Sequence, residues 1–265
     1  MTSPLLFDII FPQGPLSTWL QAIWSAQIPM DQKSVTRRLI ADAGSGLLFN
    51  LGQPISIDHR LFSDQVMFQP TNKQAHIIQL SPGTELVGVR FQPGMGRLFL
   101  EKMDEGSVIS DSPQTSVFIQ SVFKKLEISL NAKQRMSLLN EVFDNAVDSM
   151  NHLPDFVEQA TELLQQSSKV DMLGMLPLSQ RQIERQFQSR LSMSPKYFQR
   201  LRRVRAVLLA LQQPRKHTKL AELALEYGFA DQAHMTRECH LIAGITPSRY
   251  IKGKLEQELS EQAHR

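Results

Sequence analysis

Two stretches of the sequence carry the same recognition chemistry, 52 residues apart. Gln180, Arg181, Glu184 and Arg185 follow Ser179; Gln232, His234, Thr236 and Arg237 follow Asp231. Ser and Asp are strong helix N-caps, so each set falls on the first two turns of a helix. Ile183 and Phe187 mark the inward face of the first helix, and Met235, Cys239 and Ile242 that of the second. The Arg and Gln side chains then point outward. Arg forks onto guanine, Gln pairs with adenine, and both reach phosphate oxygens. This is the chemistry of reading duplex DNA with a helix in the major groove. An outward Arg is by itself more often a solvated charge; two at matching places in a repeat point to a shared task. Cys239 sits among core positions and reads as a small hydrophobe.

The repeat extends beyond those residues. Under the same shift Gln180 meets Gln232, Arg185 meets Arg237 and Pro195 meets Pro247. Ser194 and Thr246 both cap a helix that opens on proline. Ahead of the second copy, Leu220–Tyr227 forms a short helix that Gly228 ends, and Asp231 starts the next. Helix, glycine-containing turn, helix is the helix-turn-helix pattern. The first copy is less regular: Val170–Leu176, then Pro177-Leu178, then Ser179 with Gln182 in a capping box. Between the copies, Pro195–Gln212 reads as one helix with Phe198, Leu201, Val204, Leu208 and Leu211 apolar. At 1.5 Å per residue it spans about 27 Å, against about 34 Å for a turn of DNA. Such a rod could seat two recognition helices in successive major grooves. The stretch from Arg181 to Lys216 carries Arg181, Arg185, Arg190, Lys196, Arg200, Arg202, Arg203, Arg205, Arg215 and Lys216 against Glu184 alone. That concentration suits phosphate neutralisation.

The rest of the 265 residues must position this unit. Leu16–Ala26 has helical spacing at Leu16, Trp19, Leu20 and Ile23. Short apolar runs follow at Leu47–Leu51, Ile55–Ile57, Val66–Phe68, Ile77–Leu80 and Leu86–Phe91, punctuated by Gly, Pro and Asn, which predicts a small sandwich or barrel. From Gln114 the period becomes helical: Phe118, Val122 and Leu126, then Met136, Leu139, Phe143, Val147 and Met150 behind an Asn131 cap with Gln134. His152-Leu153-Pro154 breaks that helix and Asp155 can cap the next. From Lys169 onward there are 17 Lys and Arg against 9 Asp and Glu, and before it 12 against 17. A basic part joined to an acidic part suggests a polyanion-binding module beside one that avoids the polyanion. A single cysteine allows no internal disulfide. No apolar run of 18 residues and no basic region ahead of the first apolar stretch are present, so neither a membrane span nor a signal peptide is expected, and a cytoplasmic location is.

The segment Leu223 to Arg237, with Gly228-Phe229-Ala230-Asp231-Gln232-Ala233-His234 at its heart, and Gly244-Ile245-Thr246-Pro247-Ser248-Arg249-Tyr250 after it, resembles the second helix-turn-helix of the AraC/XylS family of bacterial regulators. Ser179 to Phe187 and Ser194-Pro195-Lys196-Tyr197 resemble the first. The resemblance covers Pro154 to Lys254. Gly44–Gly52 and Gly88–Gly94 are similar to the N-terminal domain of one subgroup. The resemblance implies an α+β two-domain protein: a small cupin-like β-barrel with helices, then an all-α domain of two helix-turn-helix motifs joined by a long helix. The expected division is 1–112 for the sensory or dimerising domain, 113–153 for a helical connector, 154–254 for the DNA-binding domain and 255–265 for a tail. The implied function is sequence-specific transcription regulation, activation being the family's commoner mode. Double-stranded DNA and RNA polymerase are the implied partners, and a small-molecule effector and a homodimer stay open. Pro177 and Ser192 stand where the family commonly has glycine, and Met235 and Cys239 where it has Phe.

Two other readings compete. A cupin-like enzyme would need a close His pair and a Glu on facing strands, whereas His59 and His76 stand apart and no H-x-H, H-E-x-x-H or G-x-S-x-G occurs. No catalytic residue, metal site or cofactor is therefore expected. A regulator without a ligand, controlled by a protein partner, is the other; Phe49, Phe68 and Phe91 fit a packed core and a lined pocket equally.

Overall fold

The computed structural model describes residues 4–103, 116–129, 131–149, 159, 178–212 and 219–253. The strands are β1 Leu6–Ile10, β2 Leu20–Gln27, β3 Val35–Leu39, β4 Gly46–Asn50, β5 Ile55–Ile57, β6 Arg60–Phe62, β7 Val66–Gln69, β8 His76–Leu80 and β9 Glu85–Phe91. They form two antiparallel sheets, ordered β1-β2-β9-β4-β7 and β3-β8-β5-β6. Among the described residues the strands close into no barrel. The arrangement is a two-sheet sandwich, which corrects the expected cupin-like barrel.

Alternation along the five-stranded sheet shows why it has a layer on each side. Leu47 and Phe49 of β4, with Val87, Val89 and Phe91 of β9, join one core; Leu48 and Leu86 point the other way and join a second. The second core lies between the sheets and is completed by Val35, Ile55, Ile78 and Leu80. The first packs against helices α1 Leu16–Trp19, α2 Met95–Met103, α3 Val117–Glu127 and α4 Ala132–Asp148. Phe99 and Phe143 stack there with centroids 4.9 Å apart. Asn131 caps α4 as expected, its Oδ1 accepting from the Gln134 amide at 3.0 Å. The helix expected over Leu16–Ala26 is wrong beyond Trp19. From Leu20 the chain is strand, paired with β1 on one edge and β9 on the other. Being buried on both faces, β2 shows no alternation to distinguish it from a buried helix.

Among the described residues the C-terminal domain holds the helices α5 Gln180–Leu191, α6 Pro195–Ala210, α7 Leu220–Glu226 and α8 Gln232–Ala243. Residues 247–253 are also helical. Their shared core holds Ile183, Phe187, Phe198, Leu201, Val204, Met235 and Ile242. The expected helix over Val170–Leu176 lies outside the described residues, as do Pro177, Arg215, Lys216, Gln114, Met150 and the break at 152–154.

The two domains touch. Ala41 and Ala43, from the loop between β3 and β4, are buried in the C-terminal core. Beside them the Asp42 carboxylate accepts hydrogen bonds from Arg90 of β9 and lies 3.7 Å from Arg205 of α6. Burial opposes ionisation of Asp42, but the two guanidiniums outweigh it and hold the carboxyl below the ordinary range.

Candidate nucleic-acid interface

The helices α5 and α8 are built on one frame. At the start of α5, Ser179 and Gln182 form the expected capping box, Gln182 Oε1 accepting from the Ser179 amide at 2.8 Å. At the start of α8, Asp231 Oδ1 accepts from the His234 amide at 2.6 Å. Both helices end on a left-handed residue, Ser192 at φ 54° and Gly244 at φ 64°. Glycine holds that conformation without strain, whereas an L side chain crowds its carbonyl. Ser192 is exposed. Ser192→Gly is therefore expected to stabilise the protein by about 0.5–1 kcal/mol, the relief of strain exceeding the added freedom of the unfolded chain. An unchanged or lower urea midpoint would contradict this.

Their inward faces are as expected. Ile183, Phe187, Met235, Cys239 and Ile242 are buried. Burial pushes the Cys239 thiol up to about 12, so it stays protonated and serves as packing. Ahead of α8, Gly228 takes φ 72° at the close of α7, the turn that its position implies. The α7–turn–α8 unit is thus a helix-turn-helix.

The outward residues fall into two groups. Gln180, Arg181, Glu184, Arg185, Gln232 and Arg237 are exposed. Gln180 Nε2 donates to Glu184 Oε1 at 3.2 Å. No hydrogen bond or ion pair joins the side chains of Arg181, Arg185, Gln232 or Arg237 to another described residue. His234 and Thr236 are half-buried. His234 is engaged with its own turn: its Nδ1 accepts from the Ala230 amide at 3.3 Å, and its ring meets the Phe229 edge 5.5 Å away. That geometry gives His234 a structural task in addition to any contact outside.

The basic stretch between the copies does not all face solvent. Arg200 grips Glu238 with two bonds, Nε to Oε2 at 2.7 Å and Nη2 to Oε1 at 2.8 Å. Those bonds hold the Glu238 carboxyl below its ordinary range and raise Arg200. Arg203 donates to Gly228 O at 2.7 Å and lies over the Phe229 ring. Arg205 turns toward Asp42. These three guanidiniums hold the protein together, so phosphate neutralisation cannot draw on the whole stretch. The sequence reading missed this because Glu238, the acid that claims Arg200, lies 38 residues on in another helix. The available signal was a carboxylate beside Cys239 on a buried face, which needs a cation.

A family model described as a helix-turn-helix domain matches residues 172–253, which span α5 to α8. Over that stretch the chain carries a helix-turn-helix domain of the AraC type. It is a DNA-binding transcription regulator. A second model, a domain of unknown function (DUF6597), matches residues 8–105 of this regulator, the two sheets and α2. No curated protein matches the regulator in sequence. Among solved structures it is similar to ToxT from Vibrio cholerae O395, with 12% identity over 83% of this chain and 96% of that one and a TM-score of 0.45. A 1.65 Å structure of Vibrio cholerae ToxT gives 12% identity over 94% and 98%, with a TM-score of 0.47. ToxT of strain SCE256 bound to an unsaturated fatty acid gives 12% over 93% and 94%, at 0.44.

His76 Nδ1 lies 2.5 Å from Asp58 Oδ2 at the mouth of the β5–β6 turn, a packed surface pair. Among the described residues no three His, Cys, Asp or Glu side chains gather to hold a metal, and no described helix is long and apolar enough to cross a membrane.

Proposed function

We propose that the regulator reads two successive major grooves, with α5 and α8 as the recognition helices of two helix-turn-helix units. The observation that carries this reading is the shared frame: same caps, same left-handed stop, same exposed Gln and Arg, 52 residues apart. The α6 helix between them has 16 residues and so spans about 24 Å, enough with the widths of the two units to approach a DNA turn. Arg181 and Gln232 are the base readers. Gln180, Arg185, Thr236 and Arg237 serve phosphates and neighbouring edges; Glu184 orients Gln180, and His234 sets the turn. The DNA-binding domain is 154–254, the N-terminal domain 1–112, with 113–153 connecting them and 255–265 a tail. The protein acts in the cytoplasm, as an activator in contact with RNA polymerase.

The test is base substitution across the operator. Arg181→Ala and Gln232→Ala should each lower discrimination at one base step by about 1–3 kcal/mol, at positions about one helical turn apart. Discrimination unchanged in both variants removes the assignment.

A cavity of about 580 Å³ beside the domain junction favours an effector as well. Its walls combine Trp24, Leu48 and Ile78 with Arg37, Arg38, Arg90 and Arg205, against one carboxylate, Asp42. An apolar lining with surplus positive charge fits a small apolar molecule bearing an acid group. Such a molecule would raise the melting temperature of the full chain, and its neutral amide would not. The reading of the chain as a homodimer is left to sedimentation, which should give a mass that rises with concentration.

A further inference from the structure

The last carbonyls of a helix have no partner within it. At the end of α8 two of them are capped from the N-terminal domain. The Ala75 amide donates to Ile242 O at 2.8 Å, and Arg38 Nη1 donates to Ala243 O at 3.4 Å. Both donors belong to one rigid piece: Ala75 immediately precedes β8, and Arg38 of β3 pairs with Ile77 of β8. Arg38 also brings a positive charge to the negative end of the helix dipole. It packs closely against the helix stop, since a Cβ on Gly244 would stand 2.5 Å from Arg38 Nη1. A third bond steadies the same loop, Tyr197 Oη of α6 donating to Lys73 O at 3.0 Å.

We propose that Arg38, a residue of the N-terminal sheet, is a positioning residue for DNA recognition: by capping the C-terminal end of α8 it fixes how the opposite end, Gln232 to Arg237, meets the groove. The proposal rests on α8 being a recognition helix. Because α8 is a single rigid element of 12 residues, about 18 Å long, a tilt at its C-terminal end is carried to its N-terminal end. The N-terminal domain therefore takes part in base reading without touching DNA.

The experiment uses the full chain as wild type, Arg38→Ala, Arg38→Lys and Gly244→Ala, the last displacing the guanidinium from the helix side. Discrimination is measured at the half-site read by α5 and at the half-site read by α8, and amide exchange is measured without DNA. Arg38→Ala should lower discrimination at the α8 half-site about tenfold, as expected for a lost cap and charge, and leave the α5 half-site within about twofold of wild type. Gly244→Ala should do the same, and Arg38→Lys should retain most of the wild-type value. Without DNA, amides in the last turn of α8 should exchange faster in Arg38→Ala than in Arg38→Lys. Equal loss at both half-sites, or wild-type discrimination in Arg38→Ala, overturns the proposal. A wild-type protein that reads a single half-site instead overturns the two-groove reading. The exchange data then decide on Arg38 alone, and unchanged protection in Arg38→Ala refutes its role.

Discussion

Raising monovalent salt from 50 to 200 mM is expected to weaken operator binding by about a thousandfold. Each phosphate neutralised releases condensed counterions, so the logarithm of affinity falls with the logarithm of salt at a slope of about −0.9 per contact. The basic stretch alone would suggest up to about ten contacts at the upper end of the usual range. The structure lowers that figure, because Arg200, Arg203 and Arg205 are committed to Glu238, Gly228 and Asp42. Arg185, Lys196 and Arg237 are exposed, as are Lys219 at the start of α7 and Arg249 after α8. About six contacts is the expected count, which gives the thousandfold loss. Titrations at four salt concentrations measure the slope. A slope shallower than about −2 would show that this face does not meet the phosphate backbone.

Glu238→Ala is expected to cost about 3 kcal/mol of stability, the lower end for breaking a buried pair, since Arg200 keeps some access to water. The side chains of Arg200 and Glu238 are 27% and 11% exposed, so neither charge is well solvated once its partner is gone. Removing the carboxylate leaves the guanidinium between α6 and α8 with two donors unmatched. The double variant Arg200→Met, Glu238→Leu should recover most of the loss, because two apolar side chains of similar size need no partner. Urea unfolding of the three proteins checks both statements. A double variant no more stable than Glu238→Ala would mean that the cost lies in packing and not in the orphaned charge.

The C-terminal helices were legible because their signals are local. Ser179 with Gln182, Ser194 with Pro195, and Asp231 are caps that act within three residues, and all three start helices where expected. Gly228 gave the turn for the same reason. The N-terminal strands were legible where an apolar run ends in a turn, as in β4, β7 and β9. They were hidden where burial is one-sided or absent: Val35–Leu39 reads Val-Thr-Arg-Arg-Leu, and Leu6–Ile10 is an edge strand exposed along most of its length. Whether the sheets close depends on strand order, which no local pattern records. The partners of Arg200 and Arg205 lie 38 and 163 residues away in sequence, so charge pattern alone assigned those two arginines to phosphate; the partner of Arg38 lies 205 residues away, and no local pattern marked it. The exposure of Gln180, Arg181, Arg185, Gln232 and Arg237 was legible because the apolar spacing of α5 and α8 fixes which face turns outward.

Hydroxyl-radical footprinting of the full-length protein on its operator tests the central claim most directly. The account predicts two protected patches on one face of the duplex, about 10 base pairs apart from centre to centre. A single patch, or two on opposite faces, would contradict it.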